Sequence, residues 1–130
     1  MPDQIVHVIK GKDLKVEKHA NSFPALLRQD GDQIRRDVFI MINPEETSGK
    51  RIMSGYTTIY PKCTTRGHAH PDKEEVYYFL KGSGKMVVDG VDYEVTAGDT
   101  FYIHAGNFYH STVNPTDFTM EYFWITIKVD

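Results

Sequence analysis

The 130-residue chain has one cysteine, Cys63, so no intrachain disulfide can staple it. Long hydrophobic runs are missing too. The apolar stretches are a few residues each, far short of the ~20 that cross a bilayer as a helix, and no membrane partner is expected. The start, Met1-Pro2-Asp3-Gln4, lacks a basic region before an apolar one, which argues against a secretory signal and leaves a cytoplasmic location as the expectation. Positive charge is not in excess: 15 Lys and Arg against 18 Asp and Glu give a net charge of -3. That balance gives no electrostatic case for nucleic acid. There are no internal repeats, low-complexity tracts or linkers, so residues 1–130 are expected to form a single domain.

Present in quantity are apolar residues (40%) and aromatics (12%), a composition that excludes a disordered chain. They fall in short strand-like runs: Ile5–Ile9, Arg35–Ile42, Ile52–Tyr60, Glu75–Leu80, Lys85–Val88, Val91–Val95, Thr100–His104, His110–Asn114 and Phe118–Ile127. The polar stretch Glu17–Asp32 could hold a helical turn. Asp89-Gly90 between two valines is a two-residue hairpin signal, and Lys81-Gly82-Ser83-Gly84 is expected to join another strand pair. Short strands with turn signals every ~8–12 residues mean an all-β sandwich or barrel.

Six histidines are present, and three of them stand out. In His68-Ala69-His70 the two imidazoles share one face of an extended strand, because side chains alternate with period two. Glu75 opens the next strand-like run and His110 opens a later one. Three imidazoles and a carboxylate suit a borderline divalent transition metal, with coordination positions left for water or substrate. With Glu75 facing inward, Tyr77 and Phe79 follow; with His110 inward, Thr112 and Asn114 follow. Phe123 and Ile125 lie on the opposite face from Tyr122 and Trp124, so the last strand is apolar on both sides, and a homodimer would cover it.

These strings resemble the two motifs of the cupin superfamily. The first runs His68-x-His70, four residues, Glu75, six residues, Gly82; the second runs Gly98, five residues, His104-Ala105-Gly106, three residues, His110, three residues, Asn114. They occupy residues 61–84 and 98–114. The chain departs from the pattern in three places. Lys62 replaces the leading glycine of the first motif, His104 replaces the proline of the second, and one extra residue separates Gly106 from His110. His104 is therefore a second candidate for the fourth ligand; His110 is favoured because its spacing to Asn114 is intact. Within the superfamily, Thr65-Arg66-Gly67-His68-Ala69-His70 and His110-Ser111-Thr112-Val113-Asn114 look most like the cupin-type glucose-6-phosphate isomerases.

The resemblance implies a cupin-type jelly-roll β-barrel (a double-stranded β-helix) holding one divalent ion, of Mn, Fe, Ni, Zn, Co or Cu, on His68, His70, Glu75 and His110. It implies a small-molecule partner, an anionic one among the candidates, and a metal-dependent enzyme of isomerase or lyase type acting on a sugar-like or hydroxycarbonyl compound. Tyr77 and His104 are the candidate catalytic residues. Arg66, Tyr77 and Thr112 are the candidate substrate contacts, with Arg66 preferred over Arg35, Arg36 and Lys62. A metal-dependent dioxygenase and a non-enzymatic ligand-binding module are the alternatives, since one scaffold hosts many chemistries.

Overall fold

A computed structural model describes residues 6–15 and 36–129. Among these the chain forms nine strands: β1 Arg36–Ile42, β2 Ile52–Ile59, β3 His68–His70, β4 Lys73–Lys81, β5 Ser83–Val88, β6 Val91–Thr96, β7 Thr100–Ile103, β8 Gly106–Val113 and β9 Met120–Lys128. The described residues include no α-helix, only 3-10 turns at Gly11–Asp13 and Pro44–Glu46. The strands form a five-stranded sheet, β1-β2-β9-β4-β7, and a four-stranded sheet, β3-β8-β5-β6, with antiparallel pairing throughout. β9 returns between β2 and β4, and β8 returns between β3 and β5. This interleaving of late strands between early ones is the jelly-roll wrap expected from the sequence.

Alternation along each strand decides what enters the barrel. On β9, Met120, Tyr122, Trp124 and Thr126 are buried, while Phe123 and Ile125 stay half-exposed on the outer face. On β4, Glu75, Tyr77 and Phe79 are buried, and Tyr78 and Leu80 point outward and are exposed. Ile59, Phe79, Met86 and Met120 are fully buried, each removing enough apolar surface to stabilise the fold by about 1.5–3 kcal/mol. The hairpin expected at Asp89-Gly90 joins β5 to β6, both residues with positive φ (48° and 81°), the combination a type I′ turn requires.

Three expectations change. Residues 6–9 form no strand, and Val6 and Val8 stand exposed; Ile5, like the helical turn anticipated at Glu17–Asp32, lies outside the described residues. The stretch Lys81–Gly84 is not a hairpin. β4 pairs with β7 and β9, whereas β5 pairs with β6 and β8, so the chain crosses between sheets at Gly82, whose φ is +79°. Apolar alternation is identical for a strand that folds back on its neighbour and one that continues into the facing sheet, which is why pattern alone misleads here. The last strand-like runs also shift: β8 begins at Gly106, four residues before His110, and β9 begins at Met120.

Candidate functional site

β3 brings His68, which is exposed, and His70, which is half-buried; β4 brings Glu75 and β8 brings His110, both buried. Across the β3–β8 ladder His68 pairs with His110, but His70 pairs with Gly106 rather than Phe108. Two steps along β3 are thus matched by four along β8, a surplus of two residues, and His110 is buried beyond this irregularity. One ligand atom from each of His68, His70, Glu75 and His110 lies within 4.8 Å of the others. The His68 ring centroid is 4.5 Å from those of both His70 and His110. Glu75 Oε1 is 3.6 Å from His70 Nε2 and 3.3 Å from His110 Nε2.

Neighbouring groups set the imidazoles. His110 Nδ1 sits 2.9 Å from the Phe108 carbonyl, a geometry in which Nδ1–H donates and Nε2 carries the lone pair. At His68 a hydrogen bond to the Arg66 backbone favours the protonated ring, but weakly. Burial, then the neighbouring His110 and His70, pushes the His68 pKa down to about 4, so its ring is neutral near pH 7. Burial also lowers His70, with Glu75 opposing it. At His110 burial pushes down, but Glu75 and the Phe108 carbonyl together outweigh it and the net shift is upward.

His110 Nε2 and Glu75 Oε1 are both buried, and neither has a hydrogen-bond partner. Two acceptors facing each other at 3.3 Å repel unless a proton or a cation lies between them. Native proteins rarely leave such groups unpaired. The orphaned pair, flanked by the neutral His68 ring and by His70, is therefore the arrangement a divalent transition ion fits, with imidazole and carboxylate donors it accepts. The Tyr77 hydroxyl hydrogen-bonds the Glu75 carboxylate, and burial, followed by the Glu75 charge, holds its pKa well above the ordinary tyrosine value.

The cluster opens into a cavity of about 360 Å³ between the sheets, of the size that holds a small ligand. Val38, Ile40, Met53 and Trp124 supply apolar wall; Thr57, Thr112, Tyr77 and Tyr122 supply hydroxyls; Arg36 and Lys73 supply positive charge. Besides the four clustered residues, Tyr77, Thr112 and Arg36 of those named from sequence line this cavity. The Thr112 hydroxyl lies 3.2 Å from Met86 Sδ and 3.4 Å from the Tyr122 hydroxyl. Arg66 and His104 are exposed and absent from the wall. His104 Nδ1 is 3.4 Å from the Tyr102 hydroxyl, which donates to Glu74 at 2.5 Å, so His104 faces away from the cluster that His110 completes. Tyr122 and the favoured position of Arg36 escaped the sequence reading. Both faces of β1 are apolar, Val38 and Ile40 on one and Phe39 and Met41 on the other, and alternation gave no inward direction.

Two antiparallel sheets wrapped as a jelly roll, with three histidines and a glutamate gathered at the mouth of a central cavity, define a single-barrel protein with a candidate metal site. The chain belongs to the Cupin domain family, whose profile matches residues 55–126. It is 36% identical over 73 residues to the dimethylsulfoniopropionate lyase DddW of Ruegeria pomeroyi, covering 56% of this chain and 47% of that protein. It is 32% identical over 77 residues to an uncharacterized protein of Methanocaldococcus jannaschii, covering 59% of this chain and 58% of that one. The matches thus span about half the length of these curated relatives. Among solved structures, a predicted oxalate decarboxylase from Thermotoga maritima superposes with a TM-score of 0.76 at 22% identity, over 95% of this chain and all of the other. The polyketide cyclase RemF from Streptomyces resistomycificus superposes with a TM-score of 0.69 at 21% identity, over 95% of this chain and 80% of the other. At such identities the two likenesses speak for the fold alone.

Proposed function

We propose that this protein is a metal-dependent cupin enzyme acting on a small, polar, oxygenated molecule by lyase- or isomerase-type chemistry. The observation that carries the reading is the orphaned pair of Glu75 Oε1 and His110 Nε2, buried beside His68 and His70 at the head of a cavity. A divalent ion held by these four side chains would supply Lewis acidity toward substrate oxygens. The remaining roles fall to the chain itself. Tyr77 fixes the Glu75 carboxylate, and its raised pKa keeps the phenol protonated near pH 7. It therefore acts as a hydrogen-bond donor that holds Glu75 and not as a base. Tyr122, pushed up to about 12 chiefly by burial, is likewise a donor. Val38, Ile40, Met53 and Trp124 exclude water from one side of the substrate, which strengthens polar contacts within the cavity.

The likeness to a dimethylsulfoniopropionate lyase favours the lyase branch and makes that compound the first to assay. The test is elemental analysis of the untagged protein beside His110→Ala, with turnover measured on both. Near-stoichiometric metal and cleavage in the wild type, both lost in the variant, are the expected result. Turnover that survives in a metal-free His110→Ala protein would sink the proposal. Iron or copper together with substrate-dependent oxygen uptake would redirect it to a dioxygenase.

A further inference from the structure

The chain is acidic overall, with a net charge of -3, yet one row across its five-stranded sheet is cationic. Lys73, where β4 begins, stands directly opposite Lys128, where β9 ends. The next pair along the two strands on this face is Glu75 with Thr126. Directly opposed residues share a face, and Lys73, Glu75 and Tyr77 alternate onto the cavity side of β4. At ordinary strand rise the Lys73 and Glu75 backbones are about 7 Å apart, within reach of a lysine side chain. Lys73 is half-buried in the cavity wall, and Lys128 is exposed.

Among the described residues, neither ammonium makes a hydrogen bond or an ion pair. The acids beside Lys73 do not compensate it. Asp72 pairs with no cation among the described residues, and Glu74 turns to the outer face, where the Tyr102 hydroxyl donates to it at 2.5 Å. Glu75 is held by Tyr77 and lies against His70 and His110. Like charges placed directly opposite each other destabilise a strand pair, so this row is an arrangement that an anion relieves. Burial is the main cause of the lowered His70 pKa, and the Lys73 charge adds to it, so the ammonium lies within electrostatic range of the cluster.

We propose that Lys73 is the specificity-determining residue of this cavity: its ammonium receives the carboxylate of a substrate whose neighbouring oxygens face His68, His70, Glu75 and His110. Lysine is a compact point charge on a flexible stem, and it can follow a carboxylate that sits beside the cluster. One ammonium in the wall balances one negative charge, which favours a carboxylate over a phosphate dianion. Lys128, outside the wall, adds attraction at longer range. The inference rests on the metal-enzyme reading for the position of the other oxygens, but not for the anion subsite itself.

The test is isothermal titration of the cobalt(II)-loaded protein with lactate and with lactamide, which share a shape and a hydroxyl but differ in charge. A dication alone also prefers lactate, so the variants decide. Lys73→Met is expected to bind lactate ~10-fold more weakly, the low end of what a charge-assisted hydrogen bond confers, with lactamide affinity unchanged. Its cobalt affinity is expected to hold or rise, because a positive charge has left the neighbourhood of the ion. Lys85→Met, which removes a lysine paired with Asp92 outside this cavity, is expected to change neither ligand. Unchanged lactate binding in Lys73→Met overturns the proposal. So does an equal loss for both ligands, or a fall in cobalt affinity, since either makes Lys73 a support of the site and not a receiver of charge. Should Lys73→Met fail to fold, the exposed Lys128 decides: in Lys128→Met a several-fold loss for lactate with none for lactamide supports the proposal, and no loss overturns it. Failure of cobalt to bind the wild type would defeat the metal reading instead. The metal-free protein titrated with lactate then judges Lys73 alone: ~10-fold weaker binding in Lys73→Met supports the subsite, and equal or undetectable binding overturns it.

Discussion

Replacing Tyr77 by Phe removes one hydroxyl and leaves the buried ring in place. The lost contact is the one that holds Glu75, so metal affinity is expected to fall by ~10–100-fold, the usual effect of deleting a partner behind a ligand. Titration with zinc of wild type and Tyr77→Phe, with circular dichroism to show the fold is kept, checks this; equal affinities would show that Tyr77 does not orient Glu75. The four clustered residues were legible in the sequence because His-x-His, Glu75 and the His110–Asn114 spacing are local patterns governed by the period of a strand. That Arg36 lines the cavity was not. Arg66 is two residues from His68 in sequence, yet it is Arg36, more than thirty residues away, that reaches the wall. Proximity along the chain is a poor guide where sheets stack.

At the level of elements, Asn114 shows how a motif residue serves the fold. It is fully buried, and its side-chain amide donates to the carbonyls of Ile59, Tyr60 and Phe118, while its oxygen accepts from the backbone and hydroxyl of Thr116. One side chain thereby ties the end of β2 to the connection between β8 and β9. Asn114→Ala leaves these groups without partners and is expected to lower the unfolding free energy by about 2–4 kcal/mol, read from denaturant midpoints. Gly82 is the second such point. A Cβ there would lie 2.7 Å from the Thr119 carbonyl oxygen, on a backbone with φ of +79°. Gly82→Ala is expected to cost at least ~1 kcal/mol through the left-handed conformation alone; an unchanged midpoint would mean that the crossover relaxes freely. The glycine was visible in the sequence, but not that it carries the chain from one sheet to the other. That depends on which strands β4 and β5 find as partners.

For the whole molecule, the tyrosines set an alkaline limit. Burial, with the Asp37 carboxylate accepting from its hydroxyl, raises the Tyr60 pKa; burial raises Tyr77 well above its usual range and Tyr122 to about 12. Each is an acid whose neutral form the fold favours. Their stabilising contribution is therefore complete below the unfolded value of about 10 and is lost as pH rises through the folded values. Guanidinium midpoints are expected to hold up to about pH 9 and to fall between roughly pH 10 and 12. Tyr60→Phe should flatten part of that fall, and a midpoint independent of pH up to 12 would contradict the linkage.

The sequence alone determined the strand-rich class, most strand positions, the Asp89-Gly90 hairpin and the pattern of candidate ligands. These follow from alternation, turn chemistry and residue type, all of which act within a few residues. The tertiary structure decided which strands share a sheet, that His110 is buried beyond the β3–β8 irregularity, that His104 faces outward, and that Arg36 and Tyr122 enter the cavity. Those outcomes depend on pairings between strands far apart in the chain. A strand apolar on both faces carries no signal of which face its partners will bury.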